Sequence, residues 1–339
     1  MQGHPVEMTG RDRWLHRFAV FTAGATLFLI FAGGLVTSTG SGLAVPDWPL
    51  SYGMIFPPMV GGVFYEHGHR MVAAFVGFLT MVLAVWTWKQ EPRRWLRYLG
   101  VAAFVAVVLQ GVLGGITVLY LLPTPISVAH ACLAQTFFCL IVGIALFTSP
   151  GWRQPPMPLV ERGGMPLKGL AVVTTGVIYV QLVLGALMRH TEAGLAIPDF
   201  PLSFGRLVPP LSSLQVDPNA PFPISAETFR TRVLIHFAHR VWAVVVLVAV
   251  VWAAVHVLRL YQGRGELVRP ALLMLGLVSL QVVLGALVIW TEKGVSVTTF
   301  HVVVGASVLA SSVVLTLRSW RMTAAGVHVL SRLSGEPAL

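Results

Sequence analysis

The sequence predicts an all-α polytopic membrane protein. Its eight transmembrane helices would form two parallel-repeat four-helix bundles, related by a pseudo-two-fold axis along the membrane normal. Three observations predict this. The 339 residues are 56% hydrophobic and only 11% charged, with a mean hydropathy of +0.79, too little charge to cover a soluble surface. The apolar residues fall in runs of about 20, the length that spans a hydrocarbon core. A loop-like phrase also occurs twice: GLAVPDWPLSYG at 42–53 and GLAIPDFPLSFG at 194–205 match at nine of twelve positions.

The predicted spans are 17–37, 68–89, 97–120, 126–148, 167–188, 233–258, 269–290 and 297–318. The first follows Arg11, Arg13 and Arg17 and is long enough to cross, so it is expected to be a retained helix and not a cleaved signal. Basic residues then recur in alternate connections. They are Lys89, Arg93, Arg94 and Arg97; Arg153, Arg162 and Lys168; Arg259, Arg264 and Arg269; and Arg318 and Arg321 in the tail. The opposite segment 38–67 has no Lys or Arg; the connection with Arg189, Arg206, Arg230 and Arg232 is less clean. By the positive-inside rule both termini are cytoplasmic, in a cell (cytoplasmic) membrane, and both repeated loops face outward. The same bias accounts for the net charge of +10, so no nucleic-acid partner is expected.

The repeat extends beyond the loop. GGLVTSTGSGLAVPDWPLSYGMIFPP aligns without a gap to GALMRHTEAGLAIPDFPLSFGRLVPP; EHGHRMVA (66–73) aligns to HFAHRVWA (236–243), and LQGVLGG (109–115) to LQVVLGA (280–286). The offset grows from 152 to about 170, which places an insertion near 211–228 in the second outer loop. The expected division is 1–150 for the first bundle, 151–166 for a cytoplasmic linker, 167–320 for the second bundle and 321–339 for a tail. Four spans per repeat give both copies one orientation. Pro and Gly keep the repeated phrase from being helical. It serves either as a lid on the bundle or as a direct ligand contact.

Eleven histidines occur. His4, His16, His328, His256, His67 and His190 lie in termini or at span edges and are treated as ordinary. His69, His130, His239 and His301 each lie a turn or two inside the outer end of an even-numbered span, 61 residues apart in the first half and 62 in the second. A single such histidine is more often a hydrogen-bonded core residue, but ionisable groups inside a bilayer are expensive and usually functional. Zinc takes four protein ligands or three plus water, and no cysteine or carboxylate cluster completes such a set. A haem iron takes two axial imidazoles inside an apolar bundle. Arg70 and Arg240 follow His69 and His239; they could pair with propionates or snorkel to headgroups. Glu66 precedes His69 by three residues, whereas the second half has His236 there. Glu66 is a candidate base or charge stabiliser, or a carboxylate favoured at a helix start. Cys132 and Cys139 stand seven helical residues apart, about 10.5 Å, too far for a disulfide.

EHGHR, AHRV, the doubled GLAxPD phrase and the paired histidines resemble the haem A synthase family over about 14–320. The resemblance implies oxidation of a ring methyl of haem O to the formyl of haem A. It implies that His69 and His130 flank the substrate haem in the first half, with Glu66 as the catalytic glutamate. His239 and His301 would hold a haem b that relays electrons. Two imidazoles leave no open position on iron. Either one leaves transiently, or electron removal oxidises the porphyrin and water supplies the oxygen. Many family members carry cysteine pairs in the outer loops; residues 38–67 and 189–232 have none here, so a loop thiol or disulfide has no part. Expected partners are haem O, haem A, membrane lipid and an electron acceptor, with quinone a candidate; a haem O synthase and a second copy of the chain are further candidates. The alternatives are a dihaem cytochrome b that only transfers electrons, which needs no Glu66, and a parallel-repeat transporter without stoichiometric haem.

Overall fold

The computed structural model describes residues 10–159, 161, 165–214 and 224–334. His4, Arg162 and the centre of the predicted insertion lie outside the described residues. Eight helices are long and apolar enough to cross a membrane. They are α1 (Gly10–Ser38), α2 (Gly62–Gln90), α3 (Arg94–Leu119), α4 (Thr124–Thr148), α6 (Leu167–His190), α7 (Ala226–Leu260), α8 (Gly265–Trp290) and α9 (Val295–Ser334); the short α5 (Pro150–Arg153) follows α4. No strand occurs among the described residues.

All eight predicted spans are present, but several are longer than hydropathy suggested. α1 starts at Gly10, α7 at Ala226, and α9 runs to Ser334 through the segment expected to be a tail. For α7 the reason is a cap beyond the apolar core. Ser225 accepts the amide of Thr228 at 3.1 Å, satisfying an orphan donor at the start of α7. A hydropathy window stops where charge begins; a helix stops only where its backbone does.

Helix neighbours fall into two rings. α1 packs on α2 and α4, and α3 packs on α2 and α4; α6 packs on α7 and α9, and α8 packs on α7 and α9. α2 and α4 are therefore diagonal in one ring, and α7 and α9 in the other. α1, α4 and α6 meet the other ring, together with α9. A small apolar cluster of Ile30, Phe138, Ala306 and Ala310 fills that seam. Lipid offers apolar helices as good a solvent as each other, so close contact rests on small residues and interhelical hydrogen bonds.

Charge anchors the basic end. Glu91 is fully buried between Arg93, at 2.6 Å, and Arg153, at 3.2 Å. Arg153 also reaches Asp12 at 3.0 Å, so the start of α1, the end of α2 and α5 are tied together. Burial alone would raise the Glu91 carboxyl, but hydrogen bonding and charge from Arg93 outweigh it and hold it below the usual carboxylate value.

Candidate functional site

At the other end, the two repeated loops have one construction. In the first, Asp47 accepts the amides of Tyr52 at 2.7 Å and Gly53 at 2.8 Å. In the second, Asp199 accepts those of Phe204 at 2.6 Å and Gly205 at 2.7 Å. Gly53 and Gly205 have φ of 69° and 72°, the left-handed region where glycine costs least. The second X-Pro bond of each loop, Trp48–Pro49 and Phe200–Pro201, is cis. Val45 and Ile197 are fully buried, as is Ser51. Each loop thus plugs into the helix ends.

An arginine clasps each plug. Arg70 Nη1 donates to the carbonyls of Asp47 and Leu50, both at 2.8 Å. Arg240 Nη1 donates to those of Asp199 at 2.8 Å and Leu202 at 2.9 Å. Glu66 completes the first clasp: it accepts Arg70 at 2.6 Å and the Val45 amide at 2.8 Å, and is only 3% exposed. His236, equally buried, occupies the matching place, 3.2 Å from the Ile197 amide and 3.0 Å from Arg240 Nε. A neutral imidazole offers one acceptor nitrogen, so His236 accepts only one of these at a time; the carboxylate accepts both. His67, treated as ordinary from the sequence, helps seat the first loop, with Nδ1 2.8 Å from Ser51 Oγ.

The four intramembrane histidines sit just below these plugs. His69 is on α2 and His130 on α4; His239 is on α7 and His301 on α9. Each pair therefore comes from diagonal helices. Each ring leans on a glycine of the intervening helices. A Cβ on Gly33 would meet His69 Cε1 at 3.1 Å, on Gly114 His130 Cε1 at 3.5 Å, on Gly185 His239 Cε1 at 3.1 Å, and on Gly285 His301 Cε1 at 3.3 Å.

All four histidines share another feature: the buried Nδ1 has no hydrogen-bond partner. A buried polar atom left unpaired costs about 1–3 kcal/mol; four at repeated positions mark a place built for something else. Among the described residues no group of three or more His, Cys, Asp or Glu could hold a metal ion. Two imidazoles from diagonal helices, with no third ligand, fit a haem iron, whose other four donors belong to the macrocycle.

Glutamines support the histidine helices, which sequence reasoning missed. Gln110 donates to the His130 carbonyl and Gln281 to the His301 carbonyl, both at 2.9 Å. The signal was present in the repeated LQxVLG. Gln181 donates to the His239 carbonyl at 3.1 Å and lies 3.3 Å from His239 Nε2. Its repeat position in the first half is Leu29, so only the second half has this contact.

The family model for COX15-CtaA, described as cytochrome oxidase assembly protein, matches residues 60–313. Proteins named heme A synthase are similar over nearly the whole chain. The one from Geobacillus kaustophilus is 27% identical over 338 residues, 96% of this chain and 98% of that protein. That from Halalkalibacterium halodurans is 28% identical over 86% of this chain and 92% of its own length. That from Symbiobacterium thermophilum is 31% identical over 80% and 85%. The matched span takes in Glu66, Arg70, His236, Arg240 and all four histidines, and on that basis the chain belongs to the COX15-CtaA family of cytochrome oxidase assembly proteins.

Proposed function

We propose that this chain is a haem A synthase, an oxidoreductase that takes haem O as substrate and releases haem A. The observation that carries this reading is the doubled set of diagonal histidines, each with a glycine cradle and an unpartnered Nδ1, capped by loops that differ in one acid. Residues 1–150 would hold the substrate between His69 and His130. Residues 167–320 would hold a resident haem b between His239 and His301. Converting a methyl to a formyl with water's oxygen releases four electrons and four protons. The haem that His239 and His301 would hold would supply one-electron relay toward an acceptor, with quinone the candidate.

The chain's own residues bind, orient and shield. The diagonal imidazoles would hold a bound macrocycle through its iron. The loops close the outer end against water. Glu66 is placed beside the first site by Val45 and Arg70. There its carboxylate can steady developing positive charge or accept a proton. His236, the residue at that place in the second half, adds no fixed negative charge, which suits a site that only relays. Arg70 and Arg240 already donate to loop carbonyls, so a propionate would share these guanidinium groups with the loop. In the membrane we place the loops outside and the basic end, with both termini, in the cytoplasm.

The test is to express the chain in a host that makes haem O but no haem A, and extract the pigments. Haem A together with haem b supports the reading. Stoichiometric haem b without haem A would leave an electron-transferring dihaem cytochrome instead.

A further inference from the structure

The seam between the two rings holds a cation that this chemistry does not use. Arg189 is the penultimate residue of α6, one turn beyond the Gly185 cradle. Its guanidinium leaves its own ring: Nη2 donates to the Gly34 carbonyl at 3.1 Å and to Ser38 Oγ at 2.9 Å, both on α1. Ser38 Oγ also receives the hydroxyl of Thr299 at 3.2 Å. Thr299 is fully buried and stands two residues before His301. A Cβ on Gly34 would meet Thr299 Cγ2 at 3.1 Å, and Gly33 beside it cradles His69. One guanidinium therefore binds the backbone behind the first site and, through Ser38, the helix of the second.

None of the ion pairs among the described residues includes Arg189. At the same place in the first half stands Thr37. The seam needs no charge to hold it, because a neutral donor could bond to the same oxygen atoms. A guanidinium in apolar surroundings costs several kcal/mol unless something offsets it. We propose that Arg189 is a positioning residue that acts through its charge on the second-half iron, favouring the reduced state there.

This rests on the reading that His239 and His301 hold a haem. Fe(II) carries one positive charge fewer than Fe(III), so a nearby cation in low dielectric destabilises it less. Arg189 stands one turn from the Gly185 cradle of His239, and its bond to Ser38 leads to Thr299, two residues before His301. A cation one turn from that site favours an electron there, the direction a relay out of the first half requires.

The experiment is a potentiometric titration of purified holoprotein, followed by the haem absorption bands, in wild type, Arg189→Gln, Arg189→Lys and Ser38→Ala. The second-half haem is identified as the one lost in His239→Ala. In Arg189→Gln its reduced-to-oxidised ratio at fixed potential should fall at least tenfold, about 59 mV for one electron. Arg189→Lys and Ser38→Ala should stay within about threefold of wild type, because each keeps the charge. An unchanged potential in Arg189→Gln overturns the proposal. So does a shift in Ser38→Ala as large as in Arg189→Gln, since the hydrogen bond and not the charge would then matter. So does loss of the second haem in Arg189→Gln, which would make the residue a binding group. If His239→Ala loses no haem, the proposed function itself fails, and this inference with it.

Discussion

Replacing Glu66 by histidine separates what the fold asks of that position from what the chemistry asks. The second half is a natural control, because His236 holds the Ile197 loop with no carboxylate. Glu66 makes two bonds, 2.6 Å to Arg70 and 2.8 Å to the Val45 amide. Charge-assisted hydrogen bonds contribute about 1.5–3 kcal/mol and neutral ones about 0.5–1.5. Glu66→His keeps an acceptor but loses the charge, so it should cost about 1–2 kcal/mol. Glu66→Ala removes both acceptors and leaves Arg70, only 15% exposed, without its counter-ion; breaking a buried pair in that way costs about 3–5 kcal/mol.

Stability in detergent can be followed with a thiol dye that reacts with Cys132 and Cys139, the two free cysteines, as the helices open. Formyl production is measured by chromatography of extracted haem. Glu66→His should lose only about 1–2 kcal/mol of stability and still bind haem, yet form haem A at least 100-fold more slowly, the scale of a lost electrostatic or acid–base group. Glu66→Gln should likewise keep its haem and lose formyl production. Wild-type turnover in Glu66→His would refute the chemical role of the carboxylate. Wild-type stability in Glu66→Ala would refute the clasp.

Three further outcomes follow from the same geometry. Gly33→Leu and Gly185→Leu place side-chain atoms where His69 and His239 Cε1 lie 3.1 Å from the first added carbon; each should abolish haem binding in its own half and roughly halve the pigment, as measured by pyridine haemochrome. Gly115→Ala drives a methyl to 2.6 Å from the Trp48 ring and should cost about 1–3 kcal/mol as overpacking; Trp48→Phe should restore it in dye-monitored unfolding, because the second half pairs Phe200 with Ala286 at those places. The Asp47 carboxyl is held below its usual value first by the Gly53 amide. Its contribution is therefore complete above about pH 4, the unfolded value, and disappears as pH falls through the lowered folded value. Protease protection of residues 42–53 should persist at pH 5 and collapse only in stronger acid, and Asp47→Asn should make protection less pH-dependent.

The sequence showed the helices and both loops, because hydropathy and repetition are written in residue order. It also placed Glu66 opposite His236, a pairing the clasps bear out in geometry. Three features stayed hidden. Arg70 and Arg240 looked free for anions at a helix end; their loop carbonyl partners lie at least 20 residues away in sequence and could not be seen. The glycine cradles were inside quoted motifs, yet a glycine facing an imidazole looks the same in sequence as one facing lipid. Arg189 looked like a blemish on loop charge bias, because its partners Gly34 and Ser38 belong to the other half.

The repeat separates what the fold requires at each clasp from what it does not. Each plug needs an acceptor for one loop amide and a neighbour for one arginine, and the two halves meet that need with different side chains. Any property that Glu66 and His236 share is therefore a demand of the fold: burial, reach to residue 45 or 197, contact with the arginine. The property they do not share is a fixed negative charge, and the loop closes without it in the second half. That charge, held 3% exposed by Arg70 and the Val45 amide beside one histidine pair and absent from the other, is the one feature of the clasp that loop closure does not require. The same subtraction applies at the seam, where Arg189 replaces Thr37. The duplicated scaffold thus carries one anion in the first half and one cation at the seam that its other copy lacks; on the proposed function, that arrangement would favour oxidation in one half and reduction in the other.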